Sequence, residues 1–145
     1  MRTKYDQDSF AVFQGKIFSA TKNNGYIELL TTDRKLAEKL DFLLDGEIYY
    51  KDITPYDVTE YYEQRFEAKY KGKNVGIMCG DDNQVDIQPD PADFTYEDLL
   101  KFGFEQIEKG VYEKTLPTSE LTDIHAIKRN KLECAKQDFD EINKS

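Results

Sequence analysis

Two patterns alternate along the chain. Runs with apolar residues at every second position dominate, and only brief stretches carry them at helical spacing. Residues 9–20 form one extended run holding Phe10, Val12, Ile17 and Phe18, with Gly15-Lys16 marking a bend or bulge. Residues 25–31 alternate apolar and acidic as Tyr26-Ile27-Glu28-Leu29, after the turn signal Asn23-Asn24-Gly25. Leu36 and Leu40 lie four apart behind Thr32-Asp33, which predicts a short capped helix. Asp45-Gly46, between Phe42-Leu43-Leu44 and Glu47–Lys51, predicts a hairpin. Thr54, Pro55 and Asp57 carry the cap, first-turn proline and acidic residue of a helix start, and Val58, Tyr61 and Tyr62 extend that helix to Gln64.

The pattern then recurs. Phe13-Gln14-Gly15-Lys16 is matched by Tyr70-Lys71-Gly72-Lys73, and Tyr26-Ile27-Glu28-Leu29 by Gln84-Val85-Asp86-Ile87. Ile48-Tyr49-Tyr50-Lys51 is matched by Val111-Tyr112-Glu113-Lys114, and Pro55 by Pro117. The spacing widens around Pro89-Asp90-Pro91-Ala92-Asp93, which marks an insertion in the second copy. That copy is expected to place strands over 66–79 and 84–88, a helix over 95–102 capped by Thr95 or Asp93, a pair of short strands flanking Lys109-Gly110 and a further helix from Pro117. Residues 125–143 space Ile127, Leu132, Ala135 and Phe139 along one helix face. The expected fold is α+β. Two tandem β-rich repeats, each β-β-α-β-β-α, would form a bent antiparallel sheet or an SH3-like small barrel and pack as a pseudo-symmetric pair. The boundaries fall at 1–65, 66–129 and a polar C-terminal helical extension over 130–145.

Composition narrows the function. Twenty basic and 29 acidic residues give a net charge of −9, a field that repels nucleic acid and anionic membranes and favours a basic partner. Residues 66–129 hold the larger share of that charge. Ten Tyr and nine Phe mark a folded chain, since disordered segments are poor in aromatics. Cys79 and Cys134 stand outside any metal-ligand spacing and read as free thiols of a reducing compartment. With no signal-like or membrane-length apolar run, the expected location is the cytoplasm.

Catalytic signals are weak. His125 is the single histidine and stands in Thr122-Asp123-Ile124-His125 without a nucleophile motif. Asp81-Asp82-Asn83 with Asp86 lacks the glycine and spacing of a calcium loop, and Gly72-Lys73-Asn74-Val75-Gly76 lacks the spacing of a phosphate loop. The expectation is a non-catalytic protein needing neither metal nor cofactor. Its partner would be protein, met by acids and tyrosines of the second copy: Asp81, Asp82, Asp86, Asp90, Asp93, Tyr96 and Tyr112.

The paired motifs Phe13-Gln14-Gly15-Lys16, Ile48-Tyr49-Tyr50-Lys51 and Pro55-Tyr56-Asp57-Val58, with Tyr70-Lys71-Gly72-Lys73 and Val111-Tyr112-Glu113-Lys114, resemble those of small immunity proteins of bacterial polymorphic or contact-dependent toxin systems. The resemblance spans residues 10–129. It implies a cytoplasmic toxin inhibitor that neutralises a basic, nuclease-like toxin domain. The alternative is a regulator or adaptor that takes a protein or peptide in the cleft between the repeats.

Overall fold

The computed structural model describes residues 2–144. The chain divides into two compact units: the first joins Asp8–Glu63 with the residues from Lys128 on, and the second joins Gln64–Ile127 with the residues up to Gln7.

The first unit opens with β1 (Asp8–Phe13), β2 (Lys16–Asn23) and β3 (Tyr26–Thr31). Helix α1 (Arg34–Lys39), β4 (Leu43–Asp45), β5 (Ile48–Ile53), a 3₁₀ turn over Pro55–Asp57 and the start of β6 (Glu60–Tyr70) follow. Its antiparallel order is β4-β5-β3-β2-β1, with β1 pairing onward to β6. Alternation sends Ala11, Phe13, Phe18, Ala20, Ile27, Leu29 and Ile53 to one face, where they form a buried cluster with Ala37 of α1. The C-terminal helix, Leu132–Ile142, adds Ala135 to that cluster.

The second unit continues β6 and adds β7 (Lys73–Gly80), β8 (Gln84–Pro89), α2 (Tyr96–Lys101), β9 (Glu105–Glu108) and β10 (Val111–Pro117). A 3₁₀ turn over Thr118–Glu120 leads into β11 (Leu121–Asn130), after which the C-terminal helix is α3. The order is β6-β7-β8-β10-β9, and β11 pairs with β6. Ala68, Tyr70, Val75, Ile77, Val85, Ile87 and Leu116 line its buried face with Phe94, Leu99 and Phe104. Tyr5 joins them: its ring meets Phe66 edge-on at 5.1 Å, and its N–H donates to the Gly80 carbonyl at 2.9 Å. Thr95 caps α2 in a reciprocal box with Asp98, worth about 1 kcal/mol.

The β-rich α+β reading holds, and several elements differ from expectation. The run over 9–20 is two strands. Gln14 and Gly15 both adopt left-handed φ, 50° and 77°, and make a two-residue hairpin turn in place of a bulge. Lys71 and Gly72 repeat that turn and split the single strand expected over 66–79. Each unit therefore places three strands, not two, ahead of its first helix. The helices expected after Thr54 and Pro117 are single 3₁₀ turns that feed straight into β6 and β11. A cap fixes only the first turn, and the β-branched and aromatic residues that follow take their geometry from strand pairing. Ile127 lies in β11, so the last helix begins only at Leu132. Among the described residues β4 pairs only with β5 and β9 only with β10, as the edge strands of a bent sheet do.

Candidate functional site

On the second-unit sheet, side chains that alternate with the core residues point to the opposite face. Glu67 pairs with Gly76, and Gly76 with Gln88. One step along, Asp86 lies between Cys79 of β7 and Thr115 of β10. On the far side Glu113 faces Glu105 of β9. Like charges directly opposite in a ladder cost roughly 0.2–1 kcal/mol, so this grouping of carboxylates works against stability.

Two concavities mark the face. One, of about 390 Å³, is lined by Asp86, Glu105, Ile107, Glu113, Lys114, Thr115 and Gly103. Lys114 is the single cation among the residues lining it, against three carboxylates. The other, of about 310 Å³, is lined by Gly76 together with Arg65, Glu67, Met78, Gln88, Asp90 and Pro91 among others. A Cβ on Gly76 would meet nothing within 4 Å, so nothing in the chain requires glycine there. Glycine within a strand weakens it by roughly 0.5–1 kcal/mol relative to alanine, and it leaves bare backbone that a partner can approach.

Asp86 is half-buried and accepts from the Cys79 thiol at 3.4 Å and from the Thr115 hydroxyl. Burial, then the Asp86 hydrogen bond and charge, push the Cys79 thiol above its ordinary range. Cys134 is exposed. Alkylation followed by mass spectrometry is therefore expected to label Cys134 first, with Cys79 slower by about tenfold or more. Asp86→Asn should speed labelling at Cys79, and equal rates at the two thiols in the native chain would contradict this arrangement.

The seven sequence-nominated residues fall into separate places. Asp86 stands on the outward face described above, and Asp90 lines its second concavity. Asp81 builds the β7–β8 turn, accepting from the N–H groups of Asn83 at 2.8 Å and Gln84 at 3.3 Å. Asp82 beside it is bound to Lys4 at 2.8 Å and to the Tyr5 hydroxyl at 3.3 Å. The Lys4 hydrogen bond and charge hold its carboxyl below the usual range. Asp90 and Asp93 brace the connection from β8 to α2. Asp90 accepts from the Ala92 N–H at 3.0 Å, and Asp93 from the Asn74 N–H at 2.8 Å. Tyr96 opens α2 and is 63% exposed. Tyr112 is half-buried and lines a cleft of about 430 Å³ with Pro89, Pro91, Phe94, Leu99 and Val111.

Glu67, Glu105, Glu113 and Gly76 were not among the nominated residues. Alternation outward from Ile87 and Leu116 reaches Asp86, Glu113 and Thr115. Glu105 requires knowing that β9 pairs with β10. His125 is exposed, its Nδ1 2.7 Å from the Asp123 carbonyl. Among the described residues no cluster of three metal-ligating side chains occurs, and no helix is long and apolar enough to cross a membrane.

A family model described as "Uncharacterised conserved protein UCP033725" matches residues 5–133. No curated protein and no solved structure matches the chain.

Proposed function

The chain belongs to the UCP033725 family, and we propose that it is a non-catalytic binding protein whose acidic second-unit sheet face takes a basic protein partner. The observation that carries this is the set of carboxylates from Asp86, Glu105 and Glu113 around one concavity with a single lysine. Grouped charge of one sign steers an oppositely charged partner and raises its association rate. The resemblance to immunity proteins gives the proposal its specific form: a cytoplasmic inhibitor that covers the basic surface of a nuclease-like toxin domain.

The same proposal takes the two units as diverged copies of one ancestral unit. Both run strand-strand-strand-helix-strand-strand-3₁₀ turn. Gln14-Gly15 and Lys71-Gly72 make the same left-handed turn. Residues 32–33 connect β3 to α1, whereas the longer stretch 90–95 connects β8 to α2, where the insertion was expected. On this reading one copy has kept the acidic face for partner binding.

The test compares tagged wild-type chain with an Asp86→Asn/Glu105→Gln/Glu113→Gln variant as baits in lysate of the source organism, at low and high salt. All three side chains are at least partly exposed, so the fold should survive. The expected result is one stoichiometric basic protein on the wild-type bait, lost with the variant and released by salt, with affinity down by about a hundredfold or more. A partner retained equally by the variant would remove this face from the proposal.

A further inference from the structure

The first-unit sheet also has a face opposite its core, and its chemistry is different. Ladder partners set Phe10 against Ser19, Ser19 against Leu30, Leu30 against Tyr50 and Tyr50 against Leu43. These residues lie in one row across β1, β2, β3, β5 and β4, alternating with the buried Ala11, Ala20 and Leu29. Val12 and Ile17 pair beside the row, and Ile48 lies near its β4 end. Ile17, Leu43 and Ile48 are 64%, 61% and 46% exposed. The corresponding positions of the second unit are Glu67, Gly76 and Gln88. An apolar row on an outward face is a mark of an interaction surface.

Charge identifies the occupant. Two residues from the Leu30–Tyr50 pair, about 7 Å along the strands, Glu28 faces Asp52 in the ladder. Neither carboxylate has a cation partner among the described residues. Lys128 is committed elsewhere, 4.0 Å over the Tyr62 ring and 2.9 Å from Glu60. A second copy of the chain would bring further uncompensated carboxylates into the contact, and like-charge juxtaposition at an interface costs several kcal/mol. A partner with apolar side chains and an adjacent lysine or arginine satisfies both features.

We infer that this face docks a basic amphipathic helix of another protein. The row crosses four inter-strand steps, about 19 Å, which a helix of roughly 13 residues spans. A helix turn advances about 5.4 Å against a strand spacing of about 4.8 Å, so one apolar residue per turn meets each strand in succession. Leucines recurring once per helical turn along that length would lie over successive strands and meet Phe10, Leu30, Tyr50 and Leu43, and flanking lysines would reach Glu28 and Asp52. This surface is independent of the acidic face of the second unit.

The probe is a synthetic leucine–lysine peptide of that length with helical apolar spacing, alongside a scrambled peptide of the same composition. Both are titrated into isotope-labelled chain and followed by NMR. The expected result is saturable shifts at Phe10, Ser19, Leu30 and Tyr50 for the amphipathic peptide, with the scrambled one weaker by about tenfold or more. Leu43→Glu, at an exposed edge position, and Asp52→Asn should each weaken binding while leaving the circular dichroism spectrum unchanged. The Asp86→Asn/Glu105→Gln/Glu113→Gln chain should bind the peptide like wild type, which separates this inference from the proposed function. Equal binding of the two peptides, shifts confined to other residues, or no binding would overturn it. So would a wild-type dimer in sedimentation that Leu43→Glu converts to monomer, because the occupant would then be a second copy.

Discussion

Gly80→Ala is expected to destabilise the protein by about 3–5 kcal/mol, combining roughly 1–3 kcal/mol of backbone strain with a similar cost of steric overlap. Gly80 ends β7 with φ of +136°, a region that side-chain-bearing residues rarely enter. A Cβ there would lie 2.4 Å from the Gln84 carbonyl oxygen, 2.5 Å from the Val85 Cα and 2.7 Å from the Val85 Cγ1. Two of these atoms are backbone, so the β7–β8 ladder itself must move. The damage reaches further, because the Gly80 N–H donates to the Thr3 hydroxyl at 2.7 Å and its carbonyl accepts from Tyr5. Domains have only about 5–15 kcal/mol of stability, so the variant should unfold at much lower urea. Gly15→Ala is the control: it also has positive φ, but a Cβ meets nothing within 4 Å, so its cost should be nearer 1 kcal/mol. A Gly80→Ala midpoint close to wild type would show that the β7–β8 turn is not packed as described.

Ile87→Ala should cost about 2–5 kcal/mol, the usual range for emptying a buried isoleucine site. Ile87 has no exposed surface and pairs with Ile77 on one side and Lys114 on the other. Its neighbours are held by the ladder and cannot collapse to fill the space, which places the cost toward the upper end. Urea unfolding followed by tyrosine fluorescence measures it. Because Ile87 points to the core and Asp86 to the other face, Ile87→Ala should lower stability while leaving partner binding intact under folding conditions. Asp86→Asn should do the reverse. A similar loss of binding from both substitutions would mean that the two faces are not functionally separate.

Local signals made much of the fold legible. Asn23-Asn24-Gly25, Asp45-Gly46, the Asp33 and Thr95 caps and the recurrence of the aromatic-x-Gly-Lys motif all correspond to turns or helix starts. The failures share one cause. Thr54-Pro55-Tyr56-Asp57 does form a reciprocal cap, but the turn stops at Asp57, and Tyr61 and Tyr62 lie in β6. A capping motif carries information about three or four residues. Whether the chain then continues as helix or strand is decided by partners distant in sequence, here β1 and β11. Residues 9–20 read as one strand for a related reason. Gln14 carries a left-handed φ beside Gly15, and glutamine gives no warning of a turn that asparagine would.

The candidate site was legible only in part. Net charge pointed to the second copy and to acids in general, but charge counting does not distinguish carboxylates that build a turn from those left on an open face. Asp81 and Asp93 are occupied by backbone N–H groups, and Asp82 by Lys4. Glu105 and Glu113 come together only through the β9–β10 register, which shifts between Val111 and Tyr112 and so escapes simple alternation. The apolar row of the first unit was hidden in the same way, since Phe10, Leu30, Tyr50 and Leu43 become neighbours only once four strand pairings are known.

Carboxylate footprinting tests the central claim most directly. The chain would be labelled with a water-soluble carbodiimide and an amine, alone and bound to the partner recovered at low salt, and the modified residues read by mass spectrometry. The predicted result is protection of Asp86, Glu105 and Glu113 in the complex, with Asp33 and Glu38 around α1 labelled equally in both states. Unchanged labelling at Asp86, Glu105 and Glu113 when the partner is bound would contradict the assignment of this face as the binding site.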